Sequence, residues 1–524
     1  MIDDMAGTDS APRVAAAPLR VAVIGAGPAG LYAAEALTGQ DQVPVTVDLV
    51  DRLPTPFGLV RYGIAPDHPK LRALRDTLHR TLEHPGVRFI GNVDVGVDLS
   101  LDELRQHVDA VIYTYGASGD RKLEVDGELL RGSLAATEFV GWYCGHPDAD
   151  RAVVEEAVAR ARSVVVVGVG NVALDVARVL ARGRAELEST EMPQHVVDAL
   201  AASPVEEVTV LGRRGPAQAT FTTQELRELG GMPGVTVLVD PSDLELDAAS
   251  EARVGADRLV ARNLAVLRGW AEHEPVPGEI RLTLRFHRRP VRLLGEDWVS
   301  GLEVERTLLD GDGRGVGTGE LSTLPADLVV RSVGYLGRPL PGLPVDEQSG
   351  TVAHTGGRVL RDGAVAPGEY VAGWIKRGPT GVVGTNKHDA RETVTSLLDD
   401  ARAGALRPSD HADDLVRTLA ARGAEPVLLA DWRAIDAAEV ALGATQGRDR
   451  TTLHERETLL AAVRAAAQHS PGRAGPSPGS GGTRQRSAHL QAEGRDDLGV
   501  PVHEVVGGAD DAQTTGAQPL GDEQ

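Results

Sequence analysis

The sequence predicts an α/β fold with mainly parallel sheets and two Rossmann-like units. Apolar, strand-like runs alternate with helical patterns along most of the chain, and this alternation is typical of parallel sheets covered by helices. A strand–glycine–helix unit occurs twice, at residues 20–37 and 163–181. With 524 residues, the chain is long enough for more than one hydrophobic core. We therefore expect two domains, each built on one copy of the unit.

Composition and charge exclude several classes of protein. The formal net charge of -22 argues against broad binding of nucleic acid or anionic membranes. No long apolar run is present, and the N-terminus MIDDMAGTDS lacks the cationic region of a signal peptide, so we expect no membrane span. The single cysteine, Cys144, excludes a Cys-x-x-Cys redox pair and a cysteine-ligated iron–sulfur cluster, and it fits a reducing cytoplasm. We interpret Cys144 as a small packed residue rather than a nucleophile.

The two ends of the chain differ from its centre. Residues 1–17 are interpreted as a loose leader. Residues 469–524 are rich in Pro, Gly, Ser and Gln, and such a composition buries too little apolar surface to offset chain entropy. We predict a disordered tail there.

The first unit, LRVAVIGAGPAGLYAAEAL, carries the fingerprint G-x-G-x-x-G at Gly25, Gly27 and Gly30. The first glycine allows a tight turn, the second lets a pyrophosphate approach the backbone, and the third permits close contact between helix and strand. The next strand, VTVDLVDR, leads to Asp51, an acid placed to hydrogen-bond an adenosine ribose. The alternative is that Asp51 is a solvated residue at the strand end.

The second unit, SVVVVGVGNVALDVARVLA, has Gly168 and Gly170 with Ala173 at the third position, which is an accepted variant. The next strand leads to VLGRRGP, where two arginines replace the expected acid. Guanidinium groups offer charge-assisted hydrogen bonds to a phosphate, which an acid would repel. The stretch therefore predicts NADP(H), with Arg213 and Arg214 on its 2′-phosphate; the alternative is two solvated arginines on a loop.

Two units with opposite charges at their ribose ends suggest two different nucleotides. Asp51 favours FAD in the first unit, and NADPH in the second would then pass hydride to the flavin. The flavin performs the chemistry in such an arrangement, so no nucleophile or metal is required. The sequence has no H-E-x-x-H, no G-x-S-x-G in a suitable context and no cysteine ligand set. We expect no metal site.

Five stretches of the chain give a specific resemblance to a known family. They are DRLPTPFGLVRYGIAPDHPK (51–70), GVGNVALDVAR (168–178), GRRGPAQATFTTQELREL (212–229), RSVGYLGRPLPGLPVDEQSGT (331–351) and YVAGWIKRGPTGVVGTNKHDA (370–390). In this order they resemble the adrenodoxin-reductase-type ferredoxin–NADP⁺ reductases, in particular the soluble actinobacterial type, over most of residues 18–400. The resemblance implies a glutathione-reductase-like arrangement of two Rossmann-like domains, non-covalent FAD, NADP(H) as substrate and electron transfer to a ferredoxin.

The resemblance also implies the residues that would contact FAD. Besides the three glycines of the first fingerprint, they are Ala29, Asp51, Leu59, Val95, Trp374, Gly381, Val382 and Val383. The family usually has Glu where this chain has Asp51, which changes the reach of the ribose contact. The alternative for Trp374 is a core aromatic residue.

For NADP the resemblance implies a second set of residues. They are Val169, Gly170, Asn171 and Val172 at the pyrophosphate, Arg121, Arg213, Arg214 and Glu225 around the adenosine end and ribose, and Gly381 near the nicotinamide. Val169 replaces an expected polar residue, which removes a side-chain contact but leaves the backbone donors. His68 and Glu228 match residues thought in the family to affect hydride transfer or proton handling; their alternative is structural hydrogen bonding.

The stretch GWIKRGPTGVVGTNKHDARETV can also be argued from physics. Its glycines let the backbone approach a flat ring closely, and a helical pattern starts near Thr385. A helix N-terminus aimed at the flavin would stabilise the negative charge that arrives with hydride. We expect Lys376 and Arg377 to add positive charge there.

The domain order follows from these assignments. We expect residues 18–118 to form the first part of an FAD-binding domain, 119–330 an NADP-binding domain, and 331–468 the second part of the FAD-binding domain with C-terminal helices. Two other functions stay open, an NADPH-dependent flavin monooxygenase and a non-enzymatic flavin/NADP(H) redox sensor.

The expected electron acceptor is an acidic, ferredoxin-like iron–sulfur protein that binds transiently. The chain has no second redox centre of its own, and a flavin can release its two electrons singly. Because the chain is acidic, docking would depend on local basic residues. Arg227 and the run RFHRRPVR (285–292) are candidates, and the alternative for the run is a solvated strand.

Overall fold

The structure is a computed structural model that describes residues 18–409 and 413–469. The predicted leader and all but the first residue of the predicted disordered tail lie outside these described residues. Within the described ranges, no helix combines the length and the apolar character needed to cross a membrane.

Strands and helices alternate through the described residues. The strands, in chain order, are β1 (Leu19–Ile24), β2 (Val45–Val50), β3 (Val87–Ile90), β4 (Ala110–Tyr113), β5 (Gly119–Asp120), β6 (Ser133–Ala135), β7 (Ser163–Val167), β8 (Glu207–Leu211), β9 (Val235–Val239), β10 (Ile280–Arg285), β11 (Arg288–Leu294), β12 (Gly301–Leu309), β13 (Gly315–Leu324), β14 (Leu328–Arg331), β15 (Tyr335–Leu336), β16 (Val345–Asp346), β17 (Thr351–Val352), β18 (His354–Thr355), β19 (Arg358–Arg361) and β20 (Ala364–Val371).

The α-helices are numbered in the same way. They are α1 (Pro28–Thr38), α2 (Leu59–Tyr62), α3 (Pro69–Arg72), α4 (Leu74–Leu82), α5 (Leu101–His107), α6 (Ala136–Tyr143), α7 (Arg151–Arg160), α8 (Asn171–Ala181), α9 (Arg184–Glu188), α10 (Gln194–Ala201), α11 (Thr223–Leu229), α12 (Ala248–Ala256), α13 (Arg258–Trp270), α14 (Trp374–Arg377), α15 (Thr385–Arg402), α16 (Leu415–Ala421), α17 (Leu429–Thr445) and α18 (Arg456–His469).

The first large sheet has the order β18-β19-β20-β4-β1-β2-β3, with β20, β4, β1, β2 and β3 parallel. On the central strand β1, Val21 and Val23 lie in one buried cluster, and Ala22 and Ile24 lie in another. The alternation follows the strand period of two, so both faces of the sheet are covered. Helices α1 and α15 cover the first face, and α5 and α16 cover the second.

The second large sheet is wholly parallel and has the order β6-β14-β7-β8-β10-β9. The four consecutive valines of β7 alternate between two buried clusters, which explains why the whole strand is apolar. Helix α8 lies on one face, and the antiparallel sheet β11-β12-β13 covers the other through Leu302 and Val304. The sequence did not predict this third sheet.

The two large sheets are joined where β5 pairs with β15 in antiparallel register, Tyr335 with Asp120 and Leu336 with Gly119. The C-terminal segment forms α17 and α18, which pack onto the first sheet through Trp432 and Leu459. Two glycine-loop units on two mainly parallel sheets confirm the predicted fold class.

Candidate nucleotide-binding and hydride-transfer site

The first glycine loop is a tight turn between β1 and α1. Gly25 has a φ of +109°, and a Cβ atom added there would lie 2.7 Å from the Tyr115 Cα atom. A Cβ atom on Gly30 would lie 1.9 Å from the Gly25 carbonyl oxygen, whereas Gly27 has its nearest neighbour, the Gly58 Cα atom, at 3.9 Å. Packing therefore requires glycine at the first and third positions. The clear space at Gly27 is where a pyrophosphate would approach the backbone.

Asp51 follows β2 directly and is bonded to this loop. Its Oδ2 atom accepts a hydrogen bond from the Ala26 amide at 2.6 Å, and its Oδ1 atom accepts one from the Leu53 amide at 2.8 Å. Burial raises the pKa of Asp51, and the two amide donors act in the opposite direction. Asp51 is thus a fixed acceptor at the loop rather than a solvated strand end. Its contact with a ribose stays a prediction.

A strained turn lies over the same loop. Phe57 and Gly58 have φ angles of 83° and 49°, and a Cβ atom on Gly58 would lie 2.9 Å from the Gly27 Cα atom. Leu59 begins α2 directly after this turn and is 37% exposed. Val95 is 5% exposed and belongs to the buried core. Leu59 is therefore accessible beside the loop, and the contact of Val95 with FAD stays a prediction.

Gly373 and Trp374 bring the stretch 370–390 to the first unit. A Cβ atom on Gly373 would lie 2.6 Å from the Ala29 Cβ atom, so the start of α14 lies against α1. The Nε1 atom of Trp374 is buried without a hydrogen-bond partner among the described residues, and its ring centre lies 5.5 Å from that of Tyr335. A buried donor without an acceptor is costly unless a ligand supplies one. This donor and the clear space at Gly27 fit a bound flavin dinucleotide.

Arg377 holds the loop that follows α14. Its guanidinium donates to the Thr380 carbonyl and, at 2.7 Å, to the Asn386 Oδ1 atom. Helix α15 begins at Thr385, as predicted. Between these anchors the loop carries the predicted flavin and nicotinamide contacts Gly381, Val382 and Val383, of which the first two are exposed.

Lys376 contributes little free charge to this loop. It is buried and pairs with Asp389 at 2.9 Å and with Glu392 at 3.0 Å. The expectation that Lys376 adds positive charge at the flavin is therefore wrong, because two carboxylates neutralise it. The guanidinium of Arg377 serves mainly to hold the loop through its hydrogen bonds to the Thr380 carbonyl and the Asn386 side chain.

The second glycine loop connects β7 and α8. Gly168 has a φ of +140°, and a Cβ atom added there would lie 2.1 Å from the Ser332 carbonyl oxygen. The Oδ1 atom of Asn171 accepts a hydrogen bond from the Thr222 amide at 2.8 Å, which fixes the start of the helix. The predicted pyrophosphate contacts all lie on this loop and the first turn of α8, namely Val169, Gly170, Asn171 and Val172.

Arg213 and Arg214 follow β8, which lies beside β7 in the second sheet. The Arg213 side chain is exposed and forms no ion pair with any other residue that the structure describes. The carbonyl oxygen of Arg213 accepts a hydrogen bond from the Thr307 hydroxyl at 2.8 Å, so its backbone is anchored. Ligands of parallel sheets bind at the carboxyl ends of the strands. An unneutralised guanidinium at this edge fits a 2′-phosphate.

Arg121 comes directly after β5, at the connection between the two sheets. Its amide donates to the Gly334 carbonyl at 3.0 Å, and its Nη1 atom donates to the Gln348 carbonyl at 3.4 Å. Ser332, two residues before Gly334, is the residue that contacts Gly168. Arg121 therefore lies close to the second glycine loop, and its contact with NADP stays a prediction.

A buried cluster of charged side chains lies where the stretch 51–70 meets α8 and α11. The Nε2 atom of His68 lies 3.1 Å from Asp175 Oδ1 and 3.2 Å from Glu225 Oε2, and its Nδ1 atom lies 3.6 Å from Glu228 Oε2. Burial disfavours the charged imidazole, but the hydrogen bonds to Asp175 and Glu225 outweigh it and raise the pKa of His68 to about 10. His68 is therefore protonated at neutral pH and acts through its charge and hydrogen bonds.

Arg178 lies at the centre of this cluster. Among the described residues, His68, Asp175 and Glu225 place potential metal-ligating atoms within 4.8 Å of one another. Arg178 donates to Asp175 at 2.6 Å and to Glu225 at 3.1 Å, and it also contacts His68. A guanidinium occupies the place that a metal ion would take. The cluster is an ion-pair network.

The cluster differs in one respect from the arrangement that the sequence suggests. The structure brings His68 and Glu228 together, but it buries Glu225 in the same cluster instead of exposing it at the edge that carries Arg213. The roles of these three residues in hydride transfer and NADP binding stay predictions. Sequence reasoning missed Asp175 and Arg178; the available signal was two charges one turn apart in the apolar helix α8.

The sequence is similar to those of known proteins over most of the described chain. The sequence profile of the pyridine nucleotide-disulphide oxidoreductase family matches residues 19–229. The chain is 45% identical to NADPH-ferredoxin reductase FprA of Mycobacterium tuberculosis over 458 residues, which cover 84% of this chain and 98% of that protein. It is 39% identical to the mitochondrial NADPH:adrenodoxin oxidoreductase of Arabidopsis thaliana, covering 85% of this chain and 95% of that protein.

A solved structure of a relative extends this similarity to three dimensions. The structure of Mycobacterium tuberculosis FprA in complex with NADPH matches with a TM-score of 0.80 at 43% identity, covering 86% of this chain and 100% of that one. With its two glycine loops, its arginine pair and this similarity, the chain belongs to the adrenodoxin-reductase-type family of ferredoxin–NADP⁺ reductases.

Proposed function

We propose that the chain is an FAD-dependent oxidoreductase that transfers electrons between NADPH and a ferredoxin. The observation that carries the proposal is the pair of glycine loops with unlike ends, the acceptor Asp51 at the first and the unneutralised Arg213 at the second. The NADPH-ferredoxin reductases that it resembles along almost their whole length support the proposal. They favour a reductase over a flavin monooxygenase and over a non-enzymatic redox sensor.

Each part of the site has a task in this function. The first glycine loop would hold the FAD pyrophosphate. The Trp374 Nε1 atom would donate to the cofactor, and the loop held by Arg377 would lie against it. The second glycine loop and Arg213 bind NADP(H) through its pyrophosphate and 2′-phosphate. When bound there, FAD would supply the redox chemistry, taking up a hydride from NADPH and releasing its two electrons singly. Protonated His68 keeps a positive charge where the two units meet.

We also propose that residues 18–118 and 331–468 form an FAD-binding domain and residues 119–330 an NADP-binding domain. The sheet topology supports this division, because the first sheet takes β1 to β4 and β18 to β20 from the two ends of the described chain. The second sheet takes all its strands from β6 to β14. The pair of β5 and β15 marks the crossing between the two domains.

The run RFHRRPVR is a poor docking surface for an acidic ferredoxin. Arg289 donates to Glu305 at 2.6 Å, and Arg292 lies 3.4 Å from Glu303. Its remaining arginines, Arg285 and Arg288, each lie 3.5 Å from one carboxylate, that of Asp243. The arginines of the run are therefore largely neutralised by acids of the same chain.

Unneutralised arginines lie instead on α11 and α13. Arg227 on α11 and the pair Arg258 and Arg262 on α13 are exposed and form no ion pair with other residues of the described ranges. The two helices pack side by side, because the Thr223 hydroxyl donates to Asn263 Oδ1 at 2.6 Å. We propose that an acidic ferredoxin docks on this face, the Arg227–Arg258–Arg262 face.

Two finer points belong to the same proposal. Docking through exposed charges is screened by salt and favours fast encounter over tight holding, which supports a transient complex. A cytoplasmic site of action is supported by the single cysteine, Cys144, which is buried and has no second cysteine to pair with. The net charge of -22 supports a protein partner over nucleic acid.

A ferredoxin panel tests the function, with cytochrome c as terminal acceptor and NADPH as donor. We expect ferredoxin-dependent turnover to fall as ionic strength rises through about 0.1 M, where the Debye length is ~10 Å, while NADPH–ferricyanide activity falls less. Arg227→Ala should weaken only the ferredoxin-dependent reaction, and the paired Arg289→Ala serves as the control. If no ferredoxin supports turnover and a small organic substrate is hydroxylated instead, the proposal is wrong.

A further inference from the structure

A second buried network of charges, separate from the His68 cluster, joins three parts of the chain. It consists of Arg61 and Arg72 near the first glycine loop, Glu191 between α9 and α10, and Glu439 and Arg450 near the C-terminus. Each member contacts the next, and the last contact returns to the first. We call it the Glu191–Glu439 ring.

Glu439 on α17 ties the C-terminal helices to α2. The side chains of Arg61 and Glu439 are both fully buried and form a two-pronged ion pair, with Arg61 Nη1 at 3.1 Å from Glu439 Oε2. Arg450 donates to the same Oε2 atom at 2.9 Å, and the Leu453 amide donates to Oε1 at 2.9 Å. All of these donors compensate one buried carboxylate.

Glu191, between α9 and α10 of the second unit, contacts both the arginines near α3 and the C-terminal Arg450. It accepts hydrogen bonds from Arg72 and, at 3.1 and 2.9 Å, from Arg75, and it lies 4.0 Å from the Nε atom of Arg450. Its carbonyl oxygen accepts a hydrogen bond from the Thr452 amide at 2.9 Å. Burial opposes its charge, but Arg72 and Arg75 lower the pKa of Glu191 to about 2.

Arg72 closes the ring on the backbone next to α2. Its Nη2 atom donates to the Arg61 carbonyl at 2.9 Å, and its Nη1 atom donates to the Ile64 carbonyl at 2.6 Å. Both ends of the segment 61–72 are therefore held by ion pairs of the ring, Arg61 with Glu439 and Arg72 with Glu191. This segment starts beside the turn over the first glycine loop and carries His68 into contact with α8.

We propose that Glu191 is a positioning residue that fixes the second nucleotide-binding unit relative to the first. The inference rests on the proposed function and deepens it, because hydride transfer requires the two nucleotides to meet at a set distance. Without the charge of Glu191, the buried Arg72 and the partly buried Arg75 lose their acidic partner. They can regain compensation only by moving towards water. Such a movement shifts the second unit away from the segment 61–72.

The binding contacts of NADP(H) would not change in the same way. Arg213 and the second glycine loop both belong to the second unit, so they move together. The change Glu191→Gln is therefore expected to leave the affinity for NADP⁺ close to that of the wild type. It should slow the reduction of the flavin by NADPH roughly ten- to a hundredfold.

The test uses the FAD-loaded protein with Glu191→Gln, Glu191→Asp and the control Glu188→Gln, whose exposed carboxylate pairs with Arg184 on α9. Rapid mixing measures flavin reduction, a titration measures NADP⁺ affinity, and hydrogen exchange measures the Thr452 and Leu453 amides. We expect Glu191→Gln to slow reduction and speed amide exchange with NADP⁺ affinity kept. Glu191→Asp should recover most of the rate, and Glu188→Gln should match the wild type.

Three results would overturn the inference: an unchanged reduction rate in Glu191→Gln, an equal loss in Glu191→Asp, or a loss of NADP⁺ affinity in proportion to the rate. If Glu191→Gln does not fold, Arg75→Gln takes its place. This change removes one ion-pair partner of Glu191, and the Arg75 side chain is 19% exposed, so its replacement disturbs the packing less. A wild-type protein that NADPH does not reduce would refute the proposed function itself, whatever the variants do.

Discussion

Asp51 and Arg213 occupy equivalent places, each just after the second strand of a glycine-loop unit, and they carry opposite charges. The sequence predicts both positions, because the strand and the glycines fix where the residue after the next strand must lie. It does not predict that Asp51 accepts hydrogen bonds from the Ala26 and Leu53 amides, or that Arg213 forms no ion pair with another described residue. Those properties depend on residues that approach from distant parts of the chain.

Arg213 should determine the preference for NADPH. The change Arg213→Ala removes a charge-assisted contact of about 1.5–3 kcal/mol, so we expect the KM for NADPH to rise roughly ten- to a hundredfold. The KM for NADH should stay the same, because NADH has no 2′-phosphate. Steady-state kinetics with ferricyanide measure both constants. The control is Arg314→Ala, an exposed arginine paired with Asp312; equal losses for NADH and NADPH in Arg213→Ala would contradict the assignment.

At the scale of elements, local sequence patterns predict where a helix begins, but they do not predict the contacts between elements. The sequence predicts that α15 starts near Thr385, because glycines end and a helical pattern begins there, and the structure confirms it. It does not predict that Arg377 anchors the preceding loop or that Lys376 is neutralised by α15. These contacts arise only when α14 and α15 pack together, which no local pattern encodes.

The turn between β1 and α1 allows a test that separates packing from binding. A Cβ atom on Gly30 would lie 1.9 Å from a carbonyl oxygen, whereas one on Gly27 meets no atom closer than 3.9 Å. We expect Gly30→Ala to lower the melting temperature of the FAD-free protein and Gly27→Ala to leave it nearly unchanged. Gly27→Ala should still weaken FAD binding, because its methyl group fills the space left for the pyrophosphate.

Thermal unfolding and a flavin titration of both variants give the answer. Wild-type affinity for FAD in Gly27→Ala would contradict a pyrophosphate site at this loop. An FAD-free Gly30→Ala protein as stable as the wild type would contradict the packing requirement for glycine.

At the scale of the whole molecule, the sequence predicts two units but not how they are held together. The strands can be predicted from their apolar runs, because each large sheet is covered on both faces and its strands are therefore largely apolar. Besides the β5–β15 pair, two groups of buried charges connect the units, the His68 cluster and the Glu191–Glu439 ring. Each group draws residues from widely separated stretches. Charged residues in a sequence are most often solvated, so their burial could not be anticipated one residue at a time.

The His68 cluster predicts a definite dependence of stability on pH. Because its carboxylate partners raise the pKa of His68 from 6.5 to about 10, the folded protein keeps a proton that the unfolded chain releases. The stability contributed by His68 is fully present below about pH 6.5 and is lost as the pH rises through about 10. The difference in free energy of unfolding between the wild type and His68→Gln should therefore shrink over this range.

Denaturant unfolding at a series of pH values measures this difference. The control is His84→Gln, which removes an exposed histidine outside the cluster. A difference between the wild type and His68→Gln that grows with pH would show that His68 is neutral in the folded protein.

The central claim is that FAD in the first unit takes hydride from NADPH in the second. The visible spectrum of the purified protein, recorded before and after anaerobic addition of NADPH, tests it most directly. We expect a yellow protein with one non-covalent FAD, released by acid, whose flavin absorbance is lost on addition of NADPH and recovers on addition of ferricyanide. A folded protein that neither contains nor binds FAD, or a bound flavin that NADPH does not bleach, would contradict the account.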